Sequence, residues 1–200
     1  VYSQSICNEF SKSHKVSVFT REENIYAPCF SIRTEHVNDN LTLYFVNNPQ
    51  GKDGYRHQQM DNNFADLLKK LNPDIAHIGH LNHLSTGLVD ELNSLNIPIV
   101  FTLHDFWLMC PRGQFLTRSI GTDNNFKVCN KQEHKKCATD CYSVYFSGRV
   151  ENKNDEIGNW QNWVHNRMLE TKAIINKINL FIAPSNYLRD RFINDFNVPA

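Results

Sequence analysis

The side chains best suited to chemistry sit where an apolar run stops. "IPIVFTL", Ile97 to Leu103, is the clearest strand-like segment of the chain, and His104, Asp105, Phe106, Trp107, Cys110 and Arg112 follow it closely. An imidazole can bind or release a proton near neutral pH, and a carboxylate can accept a hydrogen bond. As neighbours on one strand end, His104 and Asp105 point apart, so they do not make half of a Ser-His-Asp triad. The G-x-S-x-G elbow that would carry a nucleophile on such a sheet is also missing from the sequence. The pair suits contact with a polar substrate. Phe106 and Trp107 read equally well as rings stacked on a ligand or as packing beneath a loop.

Three other groups carry possible chemistry. His77, His80 and His83 form H-x2-H-x2-H, the pattern a zinc-dependent hydrolase would need. Steps of three suit a helix, however, whereas His77 falls in a strand pattern and the other two in a turn, so a satisfied or substrate-contacting role is the better reading. Cys110, Cys129, Cys137 and Cys141 form C-x18-C-x7-C-x3-C without a C-x2-C knuckle. Structural zinc, reduced free thiols and disulfides all stay open for them, zinc having the attraction that a long polar loop gains from a crosslink. Ser185 opens a helical pattern and reads either as a cap or as part of an anion site.

These groups need a scaffold, and the pattern along the chain supplies one. Strands are expected over Val16–Thr20, Ser31–Val37, Leu41–Val46, Asp74–Ile78, Ile97–Leu103 and Leu180–Ala183. Helices are expected on Tyr2, Ile6 and Phe10; on Met60, Phe64, Leu67, Leu68 and Leu71; on Leu84, Leu88, Leu92 and Leu95, capped by Asn82 or Ser85; on Trp160 to Ile178; and after Ser185 with Leu188, Phe192 and Phe196 inward. Strand and helix alternate, which predicts an α/β fold: a Rossmann-like, doubly wound parallel sheet covered on both faces. In such sheets ligands bind beyond the carboxyl ends of the strands. The segments found there, Gly79–His83, His104–Trp107 and Pro184–Asn186, are polar or aromatic, which favours a binding cleft. A connection from 104 to 155 far exceeds ordinary loop length and reads as a Cys-bearing insertion.

Composition narrows the class further. The 200 residues include 21 Lys plus Arg and 21 Asp plus Glu, with 40% hydrophobic residues. A real core is therefore possible, and no overall field would recruit nucleic acid or an anionic membrane. No apolar run approaches the ~20 residues of a spanning helix, and no secretory segment is seen, so a cytoplasmic protein with at most peripheral attachment to the inner face of a membrane is expected. Neither G-x-G-x-x-G nor a Walker sequence occurs, so firm nucleotide binding by this chain alone is not expected.

"NPDIAHIGHLNHLS" (Asn72 to Ser85), "IPIVFTLHDFWLMCPRG" (Ile97 to Gly113) and "FIAPSNYLRDRFI" (Phe181 to Ile193) together resemble the amino-terminal half of a family 4 glycosyltransferase, an enzyme of two facing Rossmann-like domains (GT-B architecture). The cysteine loop after "HDFW" is similar to one found in a subset of that family. The resemblance implies that residues 1–200 form one acceptor-side domain, with a first strand and glycine-rich loop before Val1 and a donor-binding domain after Ala200. It implies retaining transfer of a sugar from a nucleotide-diphosphate donor to a glycan or lipid-linked acceptor. His104 would lie against the transferred sugar, with Asp105, His80, Asn82 and His83 toward the acceptor and Trp107, Arg112 and Ser185 as further substrate contacts. The isolated chain is expected to be inactive. The competing expectation is a non-catalytic Rossmann-like binding or scaffold module whose cysteine loop meets a partner.

Overall fold

The computed structural model describes residues 2–48, 54–118, 126–142 and 153–199. Residues 119–125 and 143–152 of the expected 104–155 insertion lie outside them. The chain divides into two compact units: Val1–Phe101 with Lys177–Leu180, and Thr102–Asn176 with Phe181–Ala200. Among the described residues no helix is long and apolar enough to cross a membrane.

The first unit begins with α1 (Tyr2–Phe10) and three strands, β1 (Val16–Glu22), β2 (Ile32–Asn38) and β3 (Leu41–Asn47). β1 runs parallel to β3, with Val16 opposite Leu41 and Glu22 opposite Asn47, but β2 is antiparallel to β3. This departs from the expected all-parallel sheet. Its cause is local: only Asp39 and Asn40 separate β2 from β3, and a connection that short can join only antiparallel neighbours. Asn38 Oδ1 accepts from the Asn40 N–H at 2.9 Å and tightens the turn. α1 forms where the Tyr2, Ile6, Phe10 spacing places it, yet none of its residues is buried.

α2 (Gln58–Leu71), β4 (Ala76–Ile78), α3 (Gly87–Ser94) and β5 (Ile99–Thr102) follow. α2 buries Met60, Phe64 and Leu68 and ends at Asn72, in the left-handed region at φ 44°, just before the proline that bars further helix. β4 and β5 are parallel, Ala76 opposite Ile99 and Ile78 opposite Phe101. They belong with β8 (Leu180–Ile182) to a second sheet of order β4-β5-β8, separate from the β1-β3-β2 sheet. Ile99 is fully covered, and its N–H donates to Asn179 Oδ1 at 2.8 Å.

The second unit holds the long insertion, which carries more regular structure than a loop. β6 (Leu116–Arg118) and β7 (Phe126–Val128) make a hairpin, and one turn, α4 (His134–Lys136), runs into a π-helical turn over Cys137–Tyr142. α5 (Lys153–Ile175) buries Val164, Met168, Ile174 and Ile175, and α6 (Asn186–Phe196) buries Leu188, Phe192 and Phe196 as its periodicity requires.

Candidate functional site

The first unit carries His80, Asn82 and His83 in the turn after β4. His80 Nδ1 accepts the Asn82 N–H at 2.8 Å, which leaves the neutral ring's proton on Nε2. Asn82 is exposed, and His83 adopts a left-handed φ of 62°. The His83 carbonyl accepts Asn48 Nδ2 at 2.9 Å. Ser85, fully buried, accepts the N–H of His57 at 3.0 Å and of Gly87 at 3.2 Å, whereas the cap position of α3 is Thr86 and not the expected Asn82 or Ser85. His77 stays in β4, edge-on to Tyr2 at 6.4 Å between ring centroids.

Two asparagines that sequence reading passed over do much of the positioning. Asn47, wholly buried, accepts the Asn24 N–H at 2.9 Å, and its Nδ2 lies 2.9 Å from the carbonyls of Asn24 and Ala27. Asn48 is buried beside it and reaches across to His83. The signal was present as "VNNP" at a strand end, a polar pair before proline. Behind the same turn, Asp61 of α2 is fully buried against the start of α3, where a Cβ on Gly87 would lie only 2.1 Å from Asp61 Oδ2. The helix amino-terminus favours that carboxylate, as does Arg56 Nε at 3.8 Å.

The second unit carries His104, Asp105, Trp107, Arg112 and Ser185. The Leu103 N–H donates to the Ile182 carbonyl at 2.8 Å, which fixes the strand end, and His104 is the first exposed residue beyond it. Asp105 Oδ1 accepts the Trp107 N–H at 2.7 Å, so this carboxylate has a turn-forming duty that the substrate reading did not foresee. Gly113 closes the turn at φ +76°, a left-handed conformation suited to glycine, and its carbonyl accepts the Phe106 N–H at 3.0 Å.

The aromatic pair is packed. Phe106 stacks on Phe115 and on Phe192 at 5.1 and 6.2 Å between centroids, and Arg167 lies 4.4 Å over the Trp107 ring. Arg112 donates to the Leu116 carbonyl at 3.4 Å and to Gln114 Oε1 at 3.2 Å, and it also bonds the Cys141 thiol. It is therefore tied into the insertion. Ser185 acts as a cap, its Oγ accepting the Leu188 N–H at 3.2 Å.

The four insertion cysteines are brought close enough to influence one another. Burial pushes the Cys137 thiol up to about 11, and the neighbouring Cys110, Cys141 and Cys129 push the same way against a backbone hydrogen bond at Glu133. Burial also raises Cys141, while Arg112 pulls it down. Cys129, Cys137 and Cys141 are buried, and all four are free thiols. Lys136 Nζ stands 3.3 Å from Cys129 Sγ. Among the described residues no group of three or more His, Cys, Asp or Glu is arranged to hold a metal ion.

The family model described as Glycosyltransferase Family 4 matches residues 1–200. No curated protein and no solved structure matches the chain.

Proposed function

The chain belongs to glycosyltransferase family 4, and from that membership we propose that it is the acceptor-side part of a retaining glycosyltransferase. The donor is a nucleotide-diphosphate sugar, held mainly by a second, carboxyl-terminal domain, and the acceptor is a glycan or a lipid-linked sugar at the cytoplasmic side. The family match over the whole chain carries this reading. Its local support is the exposed His104 at the end of β5, just beyond buried Leu103.

The chemistry asks for little more than placement. In a front-face retaining transfer the sugar passes through an oxocarbenium-like state, and a fixed polar group beside it stabilises the developing charge. His104 takes that role, and the leaving phosphate accepts the acceptor's proton. His80, Asn82 and His83 serve the acceptor, whose hydroxyls need donors and acceptors of this kind. The cysteine cluster enters as a buried structural element of the insertion.

The test is His104→Ala in the full-length enzyme. A loss of turnover of about 100-fold with little change in melting temperature is expected, since His104 is exposed. Equal loss of turnover and stability would count against it and favour the scaffold reading. Sugar transfer by the 200-residue chain alone would overturn the expectation that this part is inactive by itself.

A further inference from the structure

Resting on that reading of the His104 turn, we propose that Arg167 is a positioning residue: it holds Trp107 and so fixes His104 for the transferred sugar and Asp105 for the acceptor. Arg167 is the largest fully buried side chain of the described residues, 1% exposed, on α5. A guanidinium stays charged at any working pH, so taking it out of water is costly unless its surroundings compensate. A methionine or leucine of similar volume would fill the space without that cost, and stability alone does not explain an arginine here.

What surrounds the guanidinium supplies the reason. Arg167 Nη2 donates to the Trp107 carbonyl at 2.5 Å, and its central carbon lies 4.4 Å over the Trp107 ring. One side chain thus grips both the peptide and the indole of a residue 60 positions away. Asp105 Oδ1 accepts the backbone N–H of Trp107 at 2.7 Å. Trp107 is therefore fixed at its N–H, its carbonyl and its ring, and Leu108 and Met109 after it are buried. No strand or helix runs between β5 and β6 to hold His104 and Asp105. A site on such a turn is only as precise as its supporting shell, and Arg167 provides that shell from α5. It acts through Trp107 and Asp105 and need not touch substrate.

The experiment uses the full-length enzyme carrying 5-fluorotryptophan, with the Trp107 ¹⁹F resonance assigned by its loss in Trp107→Phe. Arg167→Met should displace the Trp107 resonance and lower kcat/KM for the acceptor roughly 30-fold or more while leaving KM for the donor unchanged. Arg167→Lys keeps the charge but loses the planar fork, and it should recover less than a tenth of the lost activity. If Arg167→Met misfolds, the lysine variant carries both measurements. A Trp107 resonance that stays in place overturns the proposal, as does a displaced resonance with acceptor kinetics unchanged. Loss of activity matched only by a lower melting temperature, with donor and acceptor constants changing together, overturns it in favour of a purely structural role. If His104→Ala leaves turnover intact, the functional reading of the turn fails on its own account, separately from the Arg167 spectrum.

Discussion

The turn after β4 and the turn after β5 both carry histidines beyond a strand end, but they are clamped by different chemistry. The first is held by neutral groups bonded to backbone: Asn48 on the His83 carbonyl, and Ser85 on the N–H groups of His57 and Gly87. The second is held by a buried cation and an aromatic stack, with Arg167 on Trp107 and Phe106 between Phe115 and Phe192. Neutral amide clamps carry a modest desolvation cost and fail one bond at a time. A buried guanidinium carries a large one and holds ring and peptide together. The first turn should therefore tolerate single changes better, except where its backbone approaches a buried charge.

That exception gives the largest expected effect. Gly87→Ala drives a Cβ to within 2.1 Å of the Asp61 carboxylate, which is fully buried, so the carboxylate or the helix must shift. Overpacking of this kind costs about 3 kcal/mol, read as a lower denaturant midpoint; a midpoint like the parent's would show that the two helices slide apart cheaply. Next is a kinetic contrast within the cysteines. Cys137 is raised from 9.0 to about 11, chiefly by burial. A raised thiol pKa means less thiolate, so at pH 8 native Cys137 should react with a thiol reagent on the order of 100-fold more slowly than it does after unfolding. Because the folded state holds the proton more tightly, that contribution to stability is whole below pH 9 and fades as pH rises toward 11. Equal rates in the native and unfolded protein would contradict the buried placement.

Asn48→Ala removes the bond to the His83 carbonyl and should cost about 1–2 kcal/mol, with the effect seen in thermal unfolding and in acceptor KM. A change in unfolding alone would separate the clamp from the acceptor role. The smallest effect belongs to the cap of α6: Ser185→Ala should cost about 1 kcal/mol and Ser185→Gly only a few tenths. A much larger loss of turnover than of stability in Ser185→Gly would revive the anion reading of that helix start.

Much of this was legible from local pattern. The helices on Met60, Phe64 and Leu68 and on Leu188, Phe192 and Phe196 follow from spacing, and the Ser185 cap from its place before that run. The Asp39-Asn40 hairpin could have been read as well, since two residues cannot carry a parallel crossover. Arg167 was half visible: 164, 167, 168, 171, 174 and 175 form one helical stripe, and five of those six positions read as ordinary buried residues. An arginine on an apolar stripe is a signal, but its target lies 60 residues upstream and spacing does not reveal it.

By itself the sequence determined the elements outside the insertion, the histidine at the end of β5 and the family, because periodicity, strand-end polarity and motif order are properties of neighbouring residues. Only the tertiary structure decided that Asp105 spends an oxygen on its own turn, that Trp107 and Phe106 are packed, and that Arg112 and the four cysteines share one neighbourhood. Those outcomes depend on which distant side chains arrive beside them, and on the requirement that each buried polar group find a partner there.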